Sequence, residues 1–522
     1  MSYSPSLTYF LDRLSGFSTN IFRLEPQNQT TANPNQIIRF TLPSNALLNI
    51  RTFALHFSAS AEGTNAGARL PAKIDSLIER VEITAGGVQL SQGLNFYNVL
   101  RHAKDALYGD KTNSIFGHPE ILRTTRRNEV PDASVNFLPV AHSNIMTGTG
   151  NETYESTNGQ TQFCIDHWEG FLGTCEPKIL DASILPDLVI SIYLTGSNVV
   201  TSSSGTDLPD ETRGKVTVAA AADPTSATAI TAAGGAGNNA LSDAPALASF
   251  TAAGAGGATF SLSNIHATIE TIGLADAVYD NLVASMISQK GFVEVPFKQY
   301  VSFNGIHTGV TRFTVATQSL DRIWVCWRAN SATNANQAPF PVVGHKVGGA
   351  WASAIQNIGS NTAGGIFTNV PLGRPVYTEG SLDTLTEKYT SPYFNFREPE
   401  ANANTKLTHQ LQLNGAYYPQ FPATAEELAV ISKHSCLGMN NLQNKSLAQY
   451  KTNYFVQCFR LNMNDSEYSR TQSGLDTRSV ALNGYLNTAN LNVGSANPMC
   501  TIFAECTSTL RIGAGRMLEV VM

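Results

Sequence analysis

TRFTVATQSLDRIWVCWRANSA (311–332) is the stretch on which the fold turns, because an earlier part of the chain echoes it. Arg312-Phe313-Thr314 repeats Arg39-Phe40-Thr41, and each copy passes through a polar turn into a long strand signal ending in Ser-Ala. In the first half that strand is ALLNIRTFALHFSASA (46–61). A hairpin with a Gly-containing turn follows in both halves and leads into a short helix: ITAGGVQL into NFYNVL, then LQLNGAYY into AEELAV. Each half closes on an alternating strand, NIHATIETI (264–272) or TIFAECTSTLRI (501–512). The pattern reads as an internal duplication of one sandwich.

Single segments agree. LVISIYL places Leu188, Ile190, Ile192 and Leu194 on one face at period two. In TIFAECTSTLRI the residues Ile502, Ala504, Cys506, Leu510 and Ile512 share a face, with Glu505 and Arg511 opposite. Trp324 and Trp327 lie at odd separation on one strand, so at least one must be buried. Three helices interrupt the strands. NFYNVLRHAKDAL (95–107) carries Phe96, Val99, Leu100, Ala103 and Leu107 as a stripe and stops at Gly109. ADAVYDNLVASMISQKG (275–291) repeats the pattern at the junction of the halves, and Thr424 with Glu427 forms a capping box before the third helix. Many short strands with few helices favour packed sheets over a parallel α/β sheet.

Composition narrows the function. Among 522 residues only 14 % are charged, 42 % are hydrophobic and the net charge is −6. That balance excludes a disordered polymer and argues against a whole-surface nucleic-acid binder. The low charge is made up by Asn, Thr, Ser, Ala and Gly, a surface suited to dense packing against copies of itself. The amino-terminal stretch MSYSPSLTYFLDRL shows no basic region followed by an apolar run, so no secretion signal is expected. No apolar run reaches the roughly 18 residues of a membrane span. Seven cysteines, with no C-x-x-C spacing, read as buried free thiols.

Catalytic motifs are missing. There is no P-loop, HExxH or GxSxG pattern. Asp207, Asp210 and Glu211 cluster in a polar insertion, and His118 with Glu120 and His167 with Glu169 are i, i+2 pairs of the kind chance supplies. Gly148-Thr-Gly150 and Gly513-Ala-Gly515 lack the strand–helix context of a phosphate loop. Arg123, Arg126 and Arg127 form a basic cluster that suits a solvated loop as well as a partner's acidic edge. The N-x-S/T triplets at Asn28, Asn151, Asn444 and Asn464 are weak in so Asn-, Ser- and Thr-rich a chain. No catalytic, cofactor-binding or metal-ligating residue is assigned, and no cofactor is expected.

Four segments in order resemble the double jelly-roll major capsid proteins of large DNA viruses, virophages and polinton-like viruses. They are IERVEITAGGVQLSQGLNFYNVLRHA (78–103), IETIGLADAVYDNLVASMISQKGFVEV (269–295), RFTVATQSLDRIWVCWR (312–328), and SEYSRTQSGLDTRSVALNGYL (466–486) with IFAECTSTLRIGAGRMLEV (502–520). Two departures from the large-virus pattern, Asp280-Asn281 after Tyr279 and Thr317-Gln318 near the usual His-Pro, tilt the resemblance towards virophage or polinton-like members.

The resemblance implies an all-β chain of two consecutive eight-stranded antiparallel jelly rolls with a few short helices and long loop insertions. Residues 1–20 are expected as an arm outside the sandwich, 21–274 as the first jelly roll, 275–291 as a linker helix and 292–522 as the second. Insertions are expected at 197–257, with seven charges in 61 residues, and at about 330–372. The first is expected to project outward as a tower. The implied function is a homotrimeric, pseudo-hexagonal capsomer of an icosahedral virion, meeting neighbouring capsomers, penton proteins and minor capsid proteins. Neither an enzyme nor sequence-specific binding of nucleic acid is implied. A carbohydrate-binding or adhesive sandwich, and a two-jelly-roll amidase or glycosidase, are the alternatives.

With thiols acting as small hydrophobes, a reducing agent should leave the melting temperature unchanged; a drop of many degrees would reveal structural disulfides.

Overall fold

The computed structural model describes residues 17–108, 161–199, 259–274, 291–328, 396–436 and 447–522, plus 285, 288–289, 346–347 and 350–351. Positions 45, 63–73, 92–93, 400, 403, 448–449, 452–453, 464–472, 479–481 and 493–497 inside those spans are excepted.

In the first half, strands β1 (Phe17–Leu24), β2 (Ile37–Thr41), β3 (Leu47–Glu62), β4 (Ile78–Ala85) and β5 (Val88–Gln89) precede helix α1 (Tyr97–Tyr108). Then come β6 (Thr161–Ile165), the single turn α2 (Phe171–Thr174), β7 (Ile179–Asp181), β8 (Leu188–Leu194) and β9 (Thr259–Leu274). One sheet runs β1-β9-β3-β6, with β7 also on β3, and the other runs β2-β8-β4-β5.

The second half comprises β10 (Phe292–Ile306), β11 (Val310–Val315), β12 (Leu320–Arg328), the two-residue strands β13 (Lys346–Val347) and β14 (Ala350–Trp351), β15 (Thr408–Leu413) and β16 (Ala416–Ala423). Helix α3 (Ala425–Ser435), β17 (Val456–Arg460), β18 (Leu482–Ala489), β19 (Met499–Gly513) and β20 (Leu518–Val521) complete it. Its sheets run β10-β19-β12-β17 and β11-β18-β15-β16, with β20 on β19. Strand for strand, this is the order of the first half. The chain is two jelly rolls of the same connectivity.

The duplication extends to the turns. Gly86-Gly87 joins β4 to β5 with φ of +54° and +88°, and Asn414-Gly415 joins β15 to β16 with φ of +47° and +88°. Two successive positive φ values make the primed turn whose twist suits a tight hairpin, and Gly and Asn tolerate it best. The hairpin at 346–351 lies within the insertion expected at about 330–372.

Periodicity located the cores. Leu188, Ile190, Ile192 and Leu194 are buried, as are Ile502, Ala504, Cys506, Leu510 and Ile512. All seven cysteines are free, and Cys164 is the one not fully buried. The capping box is present: the Glu427 carboxylate accepts the Thr424 backbone N–H at 2.8 Å and its hydroxyl at 3.2 Å.

One expectation needs adjustment, and two readings are extended. Residues 17–20, expected in the arm, belong to β1, where Phe17 pairs with Leu274 and Asn20 with Thr271. Helix α1 has no solvent face, because its polar side is buried as deeply as its apolar stripe. Strand β12 is buried on both faces, so Trp324 and Trp327 are both 0 % exposed and Glu505, expected opposite the core, is 0 % exposed too. One cause explains the last two: the halves pack against each other across these surfaces. The remainder of the arm, the insertion at 197–257 beyond Val199, and the linker helix except for helical residues 285, 288 and 289 and for Gly291 lie outside the described residues.

In the second core Trp327 is flanked by His307, with ring centroids 4.8 Å apart, and by His409, at 5.3 Å. Each imidazole shares a hydrogen bond with a threonine: His307 Nδ1 with Thr311 at 2.6 Å, His409 Nδ1 with Thr488 at 3.1 Å. Both Nε2 atoms are buried without a hydrogen-bond partner among the described residues. Burial pushes His307 down to about 4 and His409, with His307 adding to the effect, down to about 3. The unfolded chain therefore takes up these protons near pH 6.5 while the folded one stays neutral. Their contribution is complete above pH 6.5 and is lost by about 1.4 kcal/mol per pH unit for each histidine until its folded pKa is reached. Thermal melting should fall steeply from pH 6.5 to 4, and a His307→Gln/His409→Gln chain should show a shallower slope; equal slopes would contradict this account.

Candidate functional site: the seam between the sandwiches

The outer face of the sheet β10-β19-β12-β17 is covered by the first half. Helix α1 and residues 168–176 lie on it, and nearly every polar group there is matched. Arg101 of α1 donates to Glu169 at 2.8 Å and to Asp75 at 3.2 Å. Lys104, one turn on, meets the other Glu169 oxygen at 2.7 Å and the Tyr300 hydroxyl of β10 at 2.9 Å. Tyr300 also donates to Glu169, at 3.2 Å. A single lysine thus ties a carboxylate of the first sandwich to a strand of the second.

Two further pairs lie behind it in the second sheet. Arg322 donates to Glu505 at 3.0 Å, and the Trp324 indole N–H donates to the other Glu505 oxygen at 2.9 Å. Lys298 meets Asp321 and, at 2.8 Å, Thr507. Around the ions, Tyr108 packs on Trp324, Phe171 meets Phe297 edge-on at 5.1 Å, and Arg328 lies over Phe96. Backbone bonds bind the rim: Lys298 N–H to the Thr174 hydroxyl at 2.9 Å, and Glu176 N–H to the Pro296 carbonyl at 3.0 Å.

The charges balance locally: Arg101, Lys104, Lys298 and Arg322 face Asp75, Glu169, Asp321 and Glu505. Burial opposes ionisation of Glu169, but Lys104 and Arg101 outweigh it and hold the carboxyl down at about 2. Burial opposes ionisation of Glu505 as well, and Arg322, Lys104 and Lys298 together bring it below its ordinary value. Lys104 therefore stabilises a carboxylate in each sandwich.

In this arrangement the carboxylates of Asp75, Glu169, Asp321 and Glu505 are each paired with a cation and enclosed. Of the pairs singled out in the sequence, Glu169 belongs to the seam, and His167 beside it is held below its ordinary pKa by burial and Arg101. Gly513 and Gly515 lie at the β19–β20 connection. Asn28 spends its side chain on the backbone of Ile37 and Arg39. Asp207, Asp210, Glu211, His118, Glu120, Gly148, Gly150, Arg123, Arg126, Arg127, Asn151, Asn444 and Asn464 lie outside the described residues. Among the described residues no cluster of three His, Cys, Asp or Glu side chains could hold a metal, and no helix is long and apolar enough to cross a membrane. Trp168, Trp324 and Trp327 are buried, so none offers a stacking platform to a sugar.

Solved structures share this two-sandwich plan. PBCV-1 VP54, in its crystal structure fitted into a cryo-EM reconstruction of the virophage Sputnik, is 13 % identical, with 97 % of each chain covered and a TM-score of 0.50. The fold is the double jelly roll of viral capsid proteins. The Faustovirus major capsid protein is 11 % identical, with 95 % of this chain and 91 % of that one covered at a TM-score of 0.49. The mavirus major capsid protein is 9 % identical, with 97 % and 90 % covered at a TM-score of 0.42. No family model matches the chain, and no curated protein does.

The seam residues escaped sequence reading, though a signal existed. In a chain this poor in charge, Asp321-Arg322 and Glu505 interrupt otherwise apolar strands, where an unpaired charge is prohibitive. Removing one partner of a buried pair strands the other. Lys104→Met and Glu169→Leu should each cost about 3–5 kcal/mol, and the double replacement less than their sum. Denaturant unfolding measures this directly; simple additivity would show that the two groups act independently.

Proposed function

We propose that the chain is a major capsid protein, that it assembles as a homotrimer, and that these trimers tile an icosahedral DNA virus shell. The observation that carries the reading is the rigid pairing of two sandwiches with one strand order. Each chain offers two similar wedges fixed by a buried seam, so three chains supply the six wedges of a pseudo-hexagon. Repeated weak contacts between such units suffice for a shell, because avidity multiplies them.

Supporting features are the low surface charge and the likeness to the fold of viral capsid proteins. On this reading the chain is not an enzyme, resides in the virion, and meets penton and minor capsid proteins at the edges of the lattice. The insertions at 197–257 and about 330–372 decorate the capsomer. The tilt towards virophage or polinton-like relatives rests on residues 280–281 and 317–318 of the sequence alone.

Light scattering of the purified protein should give a mass near three times 56.0 kDa, and negative-stain images should show hexagonal particles. A monodisperse monomer at micromolar concentration would refute the capsomer reading.

A further inference from the structure

Six of the seven cysteines are buried, and two of them meet between α3 and β17. Cys436 caps the carboxyl end of α3, and Cys458 lies in the middle of β17. One serine aligns them. The Ser432 carbonyl accepts the Cys436 backbone N–H at 3.0 Å, and the Ser432 hydroxyl accepts the Cys458 backbone N–H at 3.1 Å. The two thiols hydrogen-bond to each other.

Cys326 and Cys500 are also neighbours on paired strands, but they cannot bridge. Cys326 pairs with Thr501 and Cys500 with Trp327. Successive residues of a strand point to opposite faces, so these two thiols lie on opposite sides of the sheet.

The Cys436–Cys458 dithiol sits behind the seam. Arg322, the partner of Glu505, donates through Nε to the carbonyl of Ser435, the residue before Cys436, at 3.3 Å. Burial pushes the Cys458 thiol well above its ordinary range, and the contact with Cys436 adds to this. The thiolate is the attacking form, so the closed structure holds the pair inert. Reaction waits for local opening of the last turn of α3, which carries exposed Lys433 and His434.

We propose that Cys436 and Cys458 are a latent disulfide: a dithiol in a reducing compartment, and a covalent clip between α3 and β17 once the folded chain meets a low-molecular-weight disulfide. One thiolate attacks the reagent, forming a mixed disulfide and releasing one small thiol. The other cysteine then displaces the second. The protein loses two S–H bonds and gains one S–S bond, while the reagent's S–S bond is reduced and takes up both electrons and both protons. The new bond fixes the helix turn that Arg322 touches. It does not depend on the capsomer reading, which is judged by the mass of the assembly.

The test uses a Cys164→Ser chain, because Cys164 is the one thiol not fully buried and takes up the reagent on its own. Overnight exposure of the folded chain to oxidised glutathione should lower the thiols titrated in denaturant from six to four. The intact mass should fall by two hydrogens, and peptide mapping should join Cys436 to Cys458. The oxidised chain should melt several degrees higher, and dithiothreitol should reverse the gain. A thiol count that stays at six, a mixed disulfide stalled at either cysteine, or a bond between two other cysteines in its place would refute the proposal. Under the same exposure a Cys458→Ala chain should form no internal disulfide and gain no melting temperature. If that variant folds poorly, Cys436→Ser takes its place and is judged by the same two readings.

Discussion

The Tyr300 hydroxyl of the second sandwich, held between Lys104 and Glu169 of the first, fixes how the two sandwiches sit on one another. Apolar surfaces alone would hold the halves together but would tolerate sliding and rotation. Buried ions do not. A shift of about one ångström between the sandwiches would pull the Tyr300 hydroxyl away from both Lys104 and Glu169 and leave buried polar groups short of a partner, at a cost of about 1–3 kcal/mol. The seam thus trades some stability for a single relative orientation. A tiling unit needs that trade, because angular error inside one subunit is repeated in every copy.

The same seam explains why the second sheet departs from simple alternation. A sheet with one wet face reads apolar-polar along its strands, as LVISIYL does. Strand β12, with an apolar core on one side and the first sandwich on the other, is buried along its whole length. Its polar residues therefore had to be matched one by one, Arg322 with Glu505 and Asp321 with Lys298.

Local patterns made most of the fold legible. The repeated Arg-Phe-Thr, the paired hairpin turns and the alternating closing strands each depend on neighbouring residues, and each corresponds to an equivalent element in the two halves. Helix α1 and the capping box at Thr424 were legible for the same reason. The seam was not, because it joins residues 65 to 196 positions apart and no periodicity encodes such pairings. The start of β1 at Phe17 was missed similarly: the strand is an exposed edge whose partner lies more than 240 residues downstream. Its composition reads as an arm, and only β9 makes it a strand.

The position of β9 and β19 constrains the order in which the molecule can form. Each is the last strand of the shared pattern in its half, yet each lies inside its sheet, between β1 and β3 or between β10 and β12. As the chain leaves the ribosome, β1 and β10 therefore have no sheet partner, and β3 and β12 keep an open edge, until the closing strand arrives. Bringing that strand back across the long segment after β8 costs little, since doubling a loop adds only about 0.6 kcal/mol of closure entropy. The hazard is the interval itself, when β1 and β3 present unpaired edges to any other chain being made nearby. A polypeptide interrupted before Thr259 lacks the strand that joins β1 to β3, so the first sheet cannot be completed until that strand is made.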